Sequence, residues 1–220
     1  MRKLLLAATL LAAAPLAAQT PAQHQGDPDV AARSAAPLPA GWHLRLDRAD
    51  AKQADLTFTR MGSGYHFTGG PAAIFWRPTD RVSAPYTVRA TLTQTRAPRH
   101  PEAYGVFAAG QNLDAPNQTY LYLVVRGDGK FLVKHRAGTE VHTVIDWTDS
   151  DAVHKADANG RATNTVEIRT AADSVRFVVN GTRVAAVGAG FGPGVAGLRL
   201  NHNLDIHVDS FRVSRGASRR

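Results

Sequence analysis

Residues 86–94 read YTVRATLTQ, from Tyr86 to Gln94. Tyr86, Val88, Ala90 and Leu92 fall on one side of an extended chain, and Thr87, Arg89, Thr91 and Thr93 on the other. A period of two with one apolar side marks a strand half covered by a core. The pattern returns in TNTVEIRT (163–170) and DSVRFVVN (173–180), where Val166, Ile168, Val175, Phe177 and Val179 form the inward set. Asn180-Gly181 separates two such runs, and both residues tolerate the positive φ of a two-residue hairpin. No stretch carries a helical period of useful length. Roughly a dozen short antiparallel strands in one domain give an all-β fold, a β-sandwich or jelly roll, with a barrel as the second choice.

Outward from that stretch, the segment VVRGDGKFLVKHRAGTEVHTVIDW (124–147) reads as a three-stranded meander. Leu121 to Val125 is apolar at every position, so it is expected to be a central strand covered on both faces. Arg126-Gly127-Asp128 resembles an adhesion tripeptide, but Gly and Asp are also what a hairpin turn needs, and the turn is the reading adopted. Ser150 to Arg161 is polar and ends in Asn159-Gly160, which makes it a loop.

The first residues belong outside the fold. Arg2 and Lys3 precede an apolar run from Leu4 to Leu16, closed by Ala17-Ala18. This is the layout of a secretory signal peptide, residues 1–18, too short to span a bilayer. Residues 19–40, rich in Ala, Pro and Gln, read as a flexible spacer. The sandwich domain is expected over 41–214, with a basic tail at 215–220. Export to the periplasm or the extracellular space follows. N-terminal sequencing of the exported protein should find a start near Gln19, and a start at Met1 would refute the signal reading. With no cysteine in the chain, neither disulfides nor a lipidated cysteine can contribute, so the core alone must hold the domain.

The chain carries a formal charge of +8, or +6 once Arg2 and Lys3 leave with the signal. The cations are scattered singly over strand patterns, with no basic run and no helix to carry one into a groove. Nucleic acid is therefore not expected as a partner. Nothing after the signal reads as membrane-spanning, and the oligomeric state is left open.

Few motifs carry chemistry. There is no His-Glu-x-x-His and no cysteine, so no zinc pattern is legible and no metal site is expected. Asp205, His207 and Asp209 lie on one side of a strand but span about 13 Å at the strand rise, too far to close on one ion. KADANGRATNTVE (155–167) mimics a calcium loop, yet Lys155 and Val166 occupy the places that require carboxylates. No cofactor is expected, and a structural calcium held by backbone carbonyls and a single Asp is left open. Glu102, Glu140 and Glu167 are the only glutamates. Glu167 faces away from Val166 and Ile168 and is expected in solvent. No pair of carboxylates has the spacing of a sandwich glycosidase, and no nucleophile elbow is present.

Two segments concentrate hydrogen-bonding side chains. TRAPRHPEAYGVF (95–107) holds Arg99, His100, Glu102 and Tyr104 beside two stiffening prolines, Pro98 and Pro101. RLNHNLDIH (199–207) holds Asn201 and His202 in a short connection. Histidine, amide, guanidinium and carboxylate groups suit sugar hydroxyls, which both donate and accept. Arg99, His100, Glu102, Tyr104, Asn201 and His202 are therefore the candidate ligand-binding residues, and Glu102 and His100 the candidate catalytic pair if the chain is an enzyme.

The succession YGVFAAG, YLYLVVRGDGKFLV, VIDW, VRFVVNGTRVA, GVAGLRL and DIHVDSFRV resembles the concanavalin A-like, or laminin-G-like, jelly roll. Within that group it looks closest to exported bacterial domains of the 3-keto-disaccharide hydrolase family. The resemblance covers roughly 86–213 and implies the fold. The family's Asn-Ser-Gly-x-x-x-Arg block does not occur, and its opening survives only as Gly41-Trp42. The expected function is thus an exported domain that binds a carbohydrate or cell-envelope glycan without an evident catalytic apparatus. The alternatives are a hydrolase acting on a 3-keto-disaccharide and a structural envelope protein.

Overall fold

The computed structural model describes residues 37–216. The segment read as a signal peptide (1–18), most of the expected spacer and residues 217–220 of the expected tail lie outside the described residues. Among the described residues the chain forms fourteen strands and one short 3-10 turn, Gln53–Asp55. In chain order the strands are β1 (His43–Leu46), β2 (Leu56–Met61), β3 (Gly64–Gly69), β4 (Ala73–Val82) and β5 (Tyr86–Gln94). They continue with β6 (Ala103–Gln111), β7 (Thr119–Arg126), β8 (Lys130–Ala137), β9 (Glu140–Asp149) and β10 (Ala162–Thr170). The last four are β11 (Ser174–Val179), β12 (Thr182–Gly188), β13 (Gly194–Leu200) and β14 (Leu204–Arg215). Arg215, expected in the tail, is the last residue of β14. No helix among the described residues is long and apolar enough to cross a membrane.

The strands make two antiparallel seven-stranded sheets. One runs β1-β4-β13-β6-β7-β8-β9 and the other β12-β11-β10-β5-β14-β3-β2. The fold is a β-sandwich, as the alternation in 86–94 implies. Val88, Ala90 and Leu92 of β5 are fully buried and share the core between the sheets with Phe177 of their own sheet and with Leu121, Leu123 and Phe75 of the other. Asn180 and Gly181 both have positive φ, 49° and 85°, and turn β11 into β12.

β7 is covered twice. Leu121, Leu123 and Val125 enter the inter-sheet core, while Tyr120, Tyr122 and Val124 join a second apolar cluster on the other face. That cluster includes Trp76, Phe107, Leu113 and Leu132, with Trp147 packed against it. Its cover is the loop after β6, which contributes Leu113. Arg45 clamps that loop by donating from Nη1 to the carbonyl oxygens of Leu113 and Ala115, each at 2.9 Å. The Arg126–Asp128 segment is a hairpin turn: Gly129 N–H donates to Arg126 O (3.0 Å) at φ 91°. The two charged side chains pair with each other through Nη2 and Oδ2 at 2.6 Å. The Arg126 guanidinium also lies 4.3 Å over the Trp147 ring.

Candidate functional site

The pairing of β6 with β13 explains how two distant segments meet. Leu200 lies opposite Tyr104, and one step further Asn201 N–H donates to Ala103 O at 3.0 Å. The same register sets His202 opposite Glu102 at the end of the sandwich. His100 arrives from the preceding Pro-bounded segment. His100 Nδ1 lies 2.9 Å from Glu102 Oε1, and His202 Nε2 lies 3.0 Å from the same oxygen. The two imidazole centroids are 5.1 Å apart. The Glu102 side chain is only 9% exposed, against 45% and 40% for the histidines, so a buried carboxylate is capped by two half-open rings.

Of the six candidate ligand-binding residues, the structure thus brings His100, Glu102 and His202 together. Arg99 is exposed beside them, and Asn201 is half-buried and tied by its backbone. Tyr104 is a correction: it is fully buried in the core and unavailable to a ligand. Its side chain shares the parity of Glu102, two residues earlier, but the opposite sheet closes over it. Asn164 Nδ2 donates to its hydroxyl at 3.3 Å, and burial pushes the phenol up to about 12.

Glu167 is a second correction. It is buried rather than solvated, because Arg169 (2.8 Å) and Arg89 (3.4 Å) lie over it from its own and the neighbouring strand. In the mimic of a calcium loop, Asp157 Oδ1 accepts the backbone N–H groups of Asn159 and Arg161, each at 2.9 Å. That carboxylate closes its own turn.

The outer face of the β4–β13–β6 side carries a cleft that sequence reasoning did not single out. Its volume is about 290 Å³, and Trp76, Arg81, Asn112, Asp114 and Val195 are among its lining residues. Two pairing irregularities lie beside it. The β13 pairing shifts register between Val195 and Gly197, and the β6–β7 pairing shifts between Ala108 and Gln111. Asn112, at φ 51°, then turns the chain back over the sheet. The signal for it in the sequence is the polar run QNLDAPNQ (111–118) directly after a wholly apolar strand.

Behind the cleft, on the same face, Arg199 and Asp47 form a bidentate ion pair, with Nη2 donating to Oδ2 at 2.6 Å. Burial would raise the Asp47 carboxyl, but the Arg199 charge and its hydrogen bonds prevail and hold it below the usual carboxylate range. The Arg199 guanidinium lies 5.4 Å from the Tyr122 ring centroid. Burial pushes the neighbouring Tyr120 phenol up to about 12.

No family model matches the chain, and no curated protein matches it in sequence. Solved structures do match in fold. The carbohydrate-binding module CBM66 from Bacillus subtilis superimposes with a TM-score of 0.56 at 11% identity, over 81% of this chain and 99% of that one. A Bacillus subtilis protein of unknown function with a galectin-like fold gives 0.53 at 13% identity, over 81% and 90%. The carbohydrate recognition domain of Emp47p gives 0.51 at 9% identity, over 87% and 97%. These likenesses show the fold alone, a β-sandwich with galectin-like neighbours, consistent with a concanavalin-like jelly roll. Membership of the 3-keto-disaccharide hydrolases, which the sequence resemblance implied, has no matching family model behind it.

Proposed function

We propose that the chain is an exported carbohydrate-binding sandwich, and that the cleft beside Trp76 receives the sugar. The observation that carries this reading is the composition of the cleft. Trp76 and Val195, both nearly buried, form an apolar floor that a pyranose would meet only at the depth of the cleft. Arg81, Asn112 and Asp114 supply donors and acceptors for its hydroxyls. Two of the fold neighbours bear carbohydrate-binding names, which supports the same ligand class by analogy of fold alone. The site is open and small, suited to one or two sugar rings at the end of a glycan rather than to a long buried chain. Modest affinity is expected, since each hydrogen bond made at the expense of water contributes only about 0.5–1.5 kcal/mol.

The test is a glycan-array screen with the full chain, followed by calorimetry on the best hit. Asn112→Gly, which keeps the left-handed backbone of that position, and Asp114→Ala are each expected to weaken binding on the order of tenfold, the equivalent of one or two hydrogen bonds. Both positions are exposed, so the fold should survive. A screen without a hit would favour the structural-protein reading. A hit whose affinity ignores both substitutions would move the site elsewhere.

A further inference from the structure

We infer that His100, Glu102 and His202 form a binding site for one divalent transition-metal ion of the zinc type, with a coordination position left open to solvent. The inference does not depend on the glycan reading, which concerns a different face. These three residues are the one group of three metal-ligating side chains that the fold gathers among the described residues, and their ligand atoms all lie within 4.8 Å of one another.

The spacing fits coordination. Zinc bonds of about 2.0–2.1 Å at tetrahedral angles hold neighbouring ligand atoms roughly 3.3–3.4 Å apart. The two contacts to Glu102 Oε1, at 2.9 and 3.0 Å, need to open by a few tenths of an ångström to admit the ion, and the two ring nitrogens, in a set that spans up to 4.8 Å, need to draw together on it. Two imidazoles and a carboxylate form a borderline nitrogen and oxygen set that suits zinc, cobalt or nickel better than calcium or magnesium, which prefer oxygen alone.

The framework is already held. Glu102 and His202 sit on adjacent strand ends joined by the Asn201–Ala103 backbone bond. The turn carrying His202 is fixed by Asn203, at φ 56°, whose N–H donates to Gly70 O at 3.1 Å. His100 is bounded by Pro98 and Pro101. Its second ring nitrogen, Nε2, lies 3.5 Å from the Asn203 amide nitrogen; a ring that ligates through Nδ1 carries its proton on Nε2, so Asn203 serves as the orienting outer partner only with its amide turned to present Oδ1. Preorganisation of this kind spares a ligand set the entropy of assembling on the ion. The charge balance also favours a cation. Glu102 is a buried carboxylate, and a dication held by it and by two neutral rings would neutralise it within direct contact. Both rings are about half exposed, so a fourth ligand, water or a donor atom of a small molecule, can reach the ion from solvent. Three protein ligands plus one exchangeable position is the arrangement of reactive rather than purely structural zinc sites.

An ordinary pair of histidine–carboxylate hydrogen bonds would have similar distances, so the experiment must separate the two. The full chain, free of any polyhistidine tag and dialysed against a chelator, is titrated with zinc by calorimetry. A parallel titration with cobalt is read by its visible absorption, which reports the ligand number. The expected result is saturable binding at a ratio of one. His100→Ala and His202→Ala should each weaken it by more than the roughly 10–100-fold that loss of an outer partner costs. His142→Ala, at an exposed ring paired with His135, should change nothing. Melting curves with and without zinc check that the variants fold and should show a zinc-dependent rise only in the parent and His142→Ala. Absence of saturable binding by the parent, or binding that persists unchanged in both His100→Ala and His202→Ala, overturns the inference.

Discussion

Asp47→Ala is expected to destabilise the domain by about 3–5 kcal/mol, the usual cost of removing one partner from a buried ion pair. The Arg199 side chain is 7% exposed and sits on a sheet face already covered by Tyr120, Tyr122 and the loop after β6. Without Asp47 its guanidinium would keep its charge, since it is not deprotonated in proteins, and would have no counter-charge in contact. Most of the loss therefore belongs to the stranded cation and not to the bond itself. Asp47→Ala combined with Arg199→Met should recover much of the stability, because the cation leaves with its partner. Urea unfolding of the parent, the single variant and the double variant measures this directly. Asp50→Ala, which opens a pair on the surface with Arg48, should leave the stability close to that of the parent.

The same pair sets a pH dependence. The Asp47 carboxyl titrates lower in the folded chain than the ordinary value of about 3.9 for an unfolded aspartate. Its contribution is therefore complete above about pH 4 and is lost as the pH falls from there through the lowered folded value. The parent should lose stability more steeply than Asp47→Ala in that acid window, and the two should run parallel above it.

What the sequence reveals and what it hides divide along a physical line. Alternation along 86–94 identifies the inward residues of β5 because one strand carries that information by itself. Asn180-Gly181 specifies its turn because positive φ is a local property. The uniformly apolar 121–125 announces cover on both faces for the same reason. Tyr104 and Glu102 escape such reading. They share a parity, and only the length of the opposing sheet decides that one is core and the other is at the mouth. Glu167 escapes because its solvent is displaced by Arg89 of a strand more than seventy residues earlier, which pairs directly opposite it. The convergence of His100 with His202 needed the β6–β13 register, and the cleft lies where the pairing of β13 and of β6 shifts. Each is a property of pairing between strands and not of any one of them.

The final expected result concerns what fixes Tyr104 and the long β9–β10 loop. Asn164, fully buried on β10, uses both ends of its amide. Oδ1 accepts the His154 N–H at 2.8 Å and the Asn180 Nδ2 at 2.7 Å. Nδ2 donates to His154 O at 3.1 Å and to the Tyr104 hydroxyl at 3.3 Å. One side chain thus joins β6, the loop before β10 and the β11–β12 turn. Asn164→Ala removes four contacts at once and leaves buried donors and acceptors behind, each worth about 1–3 kcal/mol when unsatisfied. A loss of roughly 3–6 kcal/mol is expected, the upper part being avoided only if water enters the space. Asn164→Asp should not rescue it, because a carboxylate oxygen would then face the His154 carbonyl where a donor is required. Tyr104→Phe deletes only the longest of the four contacts and should cost no more than about 1 kcal/mol. Denaturant unfolding ranks the three variants. Near-parental stability of Asn164→Ala would show that the loop holds without the amide. Glycan binding by Tyr104→Phe at the parental level would follow from its place in the core, whereas a specific loss of binding in that stable variant would mean that its hydroxyl reaches a ligand after all.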